Sequence, residues 1–343
     1  MLRPVDGVAL TTLIQTAPAN HSLRTARGDY RDAFVSAFLA VYGHNNDRQA
    51  TEILKRKFLL SPDSKYSENT YLQGASELSV AHHIKNRGVT GFETDKRVNP
   101  TNNRDVDVFC TLRTLTISTE VKCAEEPEAN EPSALYLRTD GRIPNYTGVH
   151  EDLRTKIEAA HPDVTLKLAK NKDNALKQFL TDSQLKFDPN SSVDSLNILF
   201  VACEDHSNMN SWHRYLYGRE GLFTANSFSF PQDYRLVDIV ILSNLKYRHK
   251  FVKSPSDWSL ENTLMLPFVN PHGRPTALRE SILSGLSLFQ HHLKAFSEYF
   301  VTTDDPRVES DILDSVKVIH YVAEHLSDAQ KAQYFPTIKK WRA

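Results

Sequence analysis

Long apolar runs are missing from this 343-residue chain; no window comes near the 18 or more uninterrupted apolar residues of a membrane span. Cysteine is scarce too, with only Cys110, Cys123 and Cys203. Their number is odd and no two form a CxxC pair, so neither a disulfide framework nor a cysteine zinc site is expected, and a reducing cytoplasm fits. Glycine (12) and proline (16) are too few for a collagenous or low-complexity chain. An excess of one charge is also absent, since 41 Lys and Arg against 42 Asp and Glu leave a net charge of -1. That balance excludes a constitutively basic, histone-like binder but leaves room for a local basic patch. The start, Met1-Leu2-Arg3-Pro4-Val5-Asp6, carries no long apolar segment, so a secretory signal is not expected. A Gly-rich phosphate loop, a GxSxG elbow and an HExxH helix are all absent, which leaves an ATPase, an esterase and a zinc protease unsupported.

What is present suits a globular protein with a sizeable core: 40% hydrophobic and 24% charged residues. After a loose leader, Tyr30, Phe34, Phe38, Val41 and Tyr42 recur at helical spacing over 29–42. A second helix after Asp47 turns Ile53, Leu54 and Phe58 inward and leaves Lys55-Arg56-Lys57 as a basic face. Polar residues 61–65 break the pattern. A third helix over 67–85 carries the stripe Tyr71, Ala75, Leu78, Ala81 and His82, with Glu77 at its border. The period then falls to two, predicting strands over 92–98, 105–112 and 114–123. Helical patterns return at 150–160 and 173–185, and the apolar runs 196–203 and 236–242 suit strands buried on both faces. Beyond Pro275 the chain again reads as helices, at 278–300 and 308–326. The order predicts an α/β core at 67–253 between helical regions at 1–66 and 254–343.

The chemistry concentrates in Arg104-Asp105-Val106-Asp107-Val108-Phe109 and Thr119-Glu120-Val121-Lys122. Glu120 and Lys122 are two apart on a strand and project from the same face. If the hairpin turns near Arg113, Asp107 falls opposite Glu120. Two carboxylates and an ammonium then meet on an otherwise apolar sheet, where an unpaired charge is costly without a purpose. Two hard oxygen ligands beside open water positions suit Mg²⁺, with Mn²⁺ as a substitute. Asp105 shares the strand face, but Asp107 lies deeper in the apolar segment. The alternative is a solvent-facing Glu120–Lys122 ion pair on an edge strand. Pro62-Asp63-Ser64-Lys65 matches the same letters in a polar linker, which shows how little the bare string specifies.

On these residues and on the helix–three strands–helix–strand order (αβββαβ), residues 67–243 resemble the PD-(D/E)XK, or restriction-endonuclease-like, superfamily. Asp107 stands for the family's first Asp, Glu120-Val121-Lys122 for its (D/E)XK, and Glu77 for the acidic residue often found on the first core helix. Val106 precedes Asp107 where many members have Pro. The resemblance implies a Mg²⁺-dependent DNA endonuclease in prokaryotic restriction, anti-phage defence or DNA repair, acting as a homodimer or with a partner subunit. In that reading Asp107 and Glu120 are metal ligands, Lys122 positions the water and Glu77 assists. An RNA-cleaving enzyme of the same fold and a non-catalytic binding subunit are the alternatives.

Other signals are weaker. Lys246, Arg248 and Lys250 alternate with Tyr247, His249 and Phe251, and no acidic residue lies between Asp238 and Asp257. On an extended segment this is a row of cations suited to DNA phosphates, or simply a solvated strand end. Residues 212–217, with Trp212, Tyr215 and Tyr217, offer aromatics for base stacking or for packing. His82-His83 and His291-His292 are adjacent on helices, where neighbours diverge by roughly 100° and do not easily share a metal. The acidic loop 125–131 reads as a solvated loop or a gate over the cleft.

Overall fold

In the computed structural model the described residues are 6–274 apart from 46, 62, 125–134, 138–145, 163–165, 169–172, 193, 205 and 218–219, together with 285, 288 and 289. The segment that reads as a loose leader is a helix: in α1 (Gly7–Thr16) the Asp6 carboxylate accepts from the Ala9 N–H at 2.8 Å and so caps the first turn. A short α2 (Ser22–Thr25), α3 (Gly28–Tyr42) and α4 (Asp47–Lys57) follow. Helix α5 (Glu68–Lys85) starts at the Ser67 cap and is buried on most sides, because α3 covers one flank and the sheet the other. One apolar cluster runs from Leu10 through these helices to the sheet and Phe289, so the core continues across the polar break at 61–65.

The strands after α5 fall close to where period two places them: β1 (Thr90–Lys96), β2 (Val106–Leu112) and β3 (Leu115–Cys123). The turn between β2 and β3 is at Arg113, whose φ of 58° is left-handed. A short parallel pair, β4 (Leu135–Leu137) and β5 (Leu166–Leu168), forms a separate small sheet flanking α6 (Tyr146–Ala160). Then come α7 (Asp173–Lys186), β6 (Ser195–Ala202), α8 (His206–Tyr217) and β7 (Ile239–Ser243). The main sheet has the order β1-β2-β3-β6-β7 plus a sixth strand after β7. β1, β2 and β3 are antiparallel, while β3, β6 and β7 are parallel.

β6 and β7 are apolar except for Ser195, Asn197 and Ser243, because both faces are covered. Ile198, Phe200, Ile239 and Ile241 meet the α1–α5 side, whereas Leu199, Val201, Val240 and Leu242 meet α7 and α8. Trp212 and Tyr215 on α8 are buried in that second layer, so they are packing aromatics. The fold is thus α/β, a mixed six-stranded sheet flanked by helices.

Two expectations are corrected. The region from 254 onward is not all helical: the sixth strand, β8 (Met265–Val269), pairs antiparallel with β7. Residues beyond 275, where helices are expected, lie outside the described residues, apart from 285, 288 and 289.

The run 246–250 is not extended either. It forms α9 (Leu245–Tyr247) and a wider helical turn, Arg248–Val252. The physical cause is burial at helical spacing, with Leu245 and His249 both in the core. The His249 ring bridges the Tyr30 and Ser79 hydroxyls at 2.7 and 2.9 Å, and burial pushes its pKa down to about 3. Among the described residues no helix is long and apolar enough to cross a membrane.

A single glycine sets the distance between two of these helices. At Gly74 a Cβ would lie 2.4 Å from the Lys57 carbonyl oxygen, so only glycine lets the end of α4 rest on α5. Gly74→Ala is therefore expected to cost about 1–3 kcal/mol by forcing the helices apart, read as a lower urea midpoint. An unchanged midpoint would mean that the contact yields freely.

Candidate active site

The β2–β3 ladder stops early. Its last regular pair is Val108–Thr119, and the same register carries Asp107 to a position opposite Glu120. Beyond that point the edge of β3 lacks a backbone partner from β2, and two side chains take over. Asp107 Oδ2 accepts from the Val121 N–H at 2.7 Å. The Gln73 amide, on α5, donates to the Val121 carbonyl and accepts from the Cys123 N–H, each at 2.8 Å. Its second N–H donates to Glu77 Oε1 at 2.7 Å. Every polar atom of that amide is committed, which fixes Glu77 relative to the opened strands.

Charged groups gather at this opening from both faces of the sheet. Glu120 is fully buried, and its Oε1 receives the Lys122 ammonium at 2.7 Å and the Lys186 ammonium, from the end of α7, at 2.6 Å. Its Oε2 is buried with no hydrogen-bond partner among the described residues. From the opposite face, Lys57 lies 2.8 Å from Glu77 Oε2 and 2.8 Å from Asp95 Oδ1, and is only 11% exposed. Asp95 has a φ of 49°, a left-handed conformation rare for a non-glycine residue within a strand.

Electrostatics follow from this crowding. Burial, then the Glu77 and Glu120 carboxylates, hold the Asp107 carboxyl well above the usual carboxylate range, against the pull of Lys186 and Lys57. Burial works against the Lys122 ammonium, but the Glu120 carboxylate outweighs it, so its pKa lies above the ordinary lysine value. Lys57 likewise overcomes its burial through Glu77, Tyr42 and Asp95 and stays charged.

The structure therefore brings Asp107, Glu120, Lys122 and Glu77 together. Asp105 is exposed, just outside β2, and takes no part. The Glu120–Lys122 ion pair does form, but on an inner strand with its carboxylate out of solvent. The basic row is dispersed. Lys246 is buried and donates to the Ala124 carbonyl at 2.8 Å; it also meets Glu204 at 3.0 Å. Arg248 pairs with Asp257, and Lys250 with Glu204 and, at 3.7 Å, with Glu68. Glu204 and Glu68 come from distant parts of the chain and Asp257 from the edge of the acid-free stretch, so the local absence of acid was misleading. The His83 ring nitrogens lie 2.7 and 2.6 Å from the Ser259 and Leu288 carbonyl oxygens, which accept from the ring, and His83 belongs to the core. The acidic loop 125–131 and His291-His292 lie outside the described residues.

Sequence reasoning missed Lys57, Lys186, Gln73 and Asp95. Two of them had a signal. Lys57 follows Ile53 by four residues and Leu54 by three, which places it on the inward side of α4 rather than the basic face. Gln73 precedes Glu77 by one helical turn. Lys186 and Asp95 carried none.

In metal chemistry the donors are two hard carboxylates, Asp107 and Glu120, one of which keeps an orphaned buried oxygen. That set fits a small divalent cation that completes its shell with water or phosphate. Among the described residues no three His, Cys, Asp or Glu side chains could hold a metal by themselves. Comparison with known proteins places the chain beside none of them, since no family model, no curated protein and no solved structure matches it.

A carboxyl whose folded pKa is raised binds its proton more tightly when folded. Its burden on the fold is absent below about pH 3.8, grows as pH rises toward the folded value, and is complete above it. Asn at 107 keeps an acceptor for the Val121 N–H and carries no such burden. In chelator-treated buffer Asp107→Asn is thus expected to raise Tm by about 2–4 °C at pH 8 and by clearly less near pH 4, measured by calorimetry. A lower Tm at pH 8, or an offset independent of pH, would contradict the assignment.

Proposed function

We propose that the protein is a divalent-cation-dependent endonuclease that hydrolyses phosphodiester bonds in DNA, built on a PD-(D/E)XK core. The observation that carries this reading is the placement of Asp107 opposite Glu120, with Lys122 two residues on, where β2 and β3 part. Around it the main sheet follows α5 with the three strands β1–β3 and, after the small β4–α6–β5 unit, with α7 and the parallel strand β6, an order that supports the same reading. Burial of the Glu120 carboxylate with an oxygen that has no partner among the described residues supports a group kept for a ligand.

Asp107 and Glu120 would hold Mg²⁺, or Mn²⁺ in its place. When bound, such an ion supplies positive charge for the phosphoryl oxygens and acidifies a water. The chain's own groups do the rest. Lys122 is an ammonium at neutral pH, so it acts as a donor to the attacking water and a non-bridging phosphate oxygen, and does not remove the proton itself. Gln73 keeps the strands open and fixes Glu77 for contact with ordered water. The water oxygen forms the new bond to phosphorus, the bond to one ester oxygen breaks, and a proton passes from the water to solvent while the leaving oxygen gains one. Lys246, Arg248 and Lys250 have no part in this proposal. A setting in restriction, anti-phage defence or repair rests on the family resemblance alone.

One observation favours a second reading, a non-catalytic subunit. Lysines from three elements already neutralise Glu77 and Glu120, as a structural cluster would require. The two readings separate on supercoiled plasmid. Mg²⁺ is expected to support nicking by the wild type, a chelator to abolish it, and Lys122→Ala to slow it by about 100-fold or more. Nicking that persists under chelation would end the metal mechanism, and cleavage of matched RNA alone would move the substrate to RNA. A wild type that leaves plasmid and RNA intact would favour the non-catalytic subunit.

A further inference from the structure

Among the described residues four carboxylates, Glu77, Asp95, Asp107 and Glu120, share this opening with three ammonium groups, those of Lys57, Lys122 and Lys186. With all of them ionised the cluster carries one negative charge. A single divalent ion together with one phosphodiester brings that sum to zero. A second divalent ion would have to enter beside the Lys57 ammonium, which already lies between Glu77 and Asp95, and like charges that close repel strongly in a largely buried site.

The geometry shows where a second ion would otherwise sit. Glu77 Oε2 and Asp95 Oδ1 both lie 2.8 Å from one nitrogen, the Lys57 ammonium, in a space that admits only 11% exposure of that side chain. Lys57 is delivered there by the close α4–α5 approach that Gly74 permits, and Asp95 meets it from a left-handed backbone position. The carboxylate on the other side behaves differently. Among the described residues Glu120 Oε2 is buried without a partner, so an incoming cation finds an oxygen there that none of these lysines has claimed.

We propose that Lys57 is a built-in cation that takes the place of a second divalent ion, so that the site binds one metal ion, at Asp107 and Glu120, and not two. This rests on the metal-dependent reading of the site. Lys57 is here a positioning residue: it neutralises Glu77 and Asp95 and prevents them from recruiting metal.

The test counts ions rather than turnover. Mn²⁺ binding to the full chain is titrated by calorimetry and by electron paramagnetic resonance, with folding checked by circular dichroism. Wild type is expected to take up one Mn²⁺, Lys57→Met two, and Lys57→Arg one, the spectrum of Lys57→Met gaining the broadening of a coupled pair. Should Lys57→Met fail to fold, Lys57→Gln, which is also neutral but keeps a donor for Glu77, is expected to bind two. Two ions on the wild type, or one on the folded neutral variants, would overturn the role of Lys57 while leaving a nicking enzyme intact. No Mn²⁺ on the wild type, with no plasmid nicking, would overturn the metal-dependent reading and this inference with it.

Discussion

Everything at the candidate site depends on the parting of two antiparallel strands. Buried backbone N–H and C=O groups must be paired, and opening a ladder ordinarily leaves several of them unmet. Here the Asp107 carboxylate and the Gln73 amide meet the groups on the edge of β3. The opening is therefore stable, and it gives polar side chains from both faces of an apolar sheet a common space. Without it, Glu120 would be one more in-facing residue on an inner strand, and Glu77 would remain on the other side of the sheet.

The second constraint is charge. A buried carboxylate is tolerated where cations and donors compensate it, and removing a single partner leaves an expensive residue. The lysines arrive from α4, β3 and α7, three elements distant in sequence, so the balance exists only in the folded chain. Among the described residues the balance is also incomplete, because one Glu120 oxygen has no partner and Asp107 has a carboxyl that burial drives toward neutrality. In the proposed function that cost to the fold is what a ligand site requires.

Much of this was legible in the sequence, for identifiable reasons. Period two located β2 and β3 to within a residue, and the Arg113 turn then placed Asp107 opposite Glu120. Continuous apolar runs marked β6 and β7, because both of their faces are covered. The failures share a cause, namely dependence on distant partners. The 246–250 run alternates like a strand, yet His249 is drawn into the core between Tyr30 and Ser79, and Glu204 and Asp257 neutralise its cations. β8 pairs with β7 although its Pro267 and short length gave it little strand character; an edge position tolerates both. Lys186 became part of the site only because α7 ends over Glu120, which no local pattern encodes.

The central claim is that Asp107 and Glu120 share one divalent ion at the opened end of β3. The most direct measurement is a crystal soaked in Mn²⁺, with anomalous scattering recorded near the manganese edge. A single anomalous peak is expected between the two carboxylates, in contact with Glu120 Oε2. A map without a peak there, with Glu120 still held by Lys122 and Lys186 alone, would contradict it.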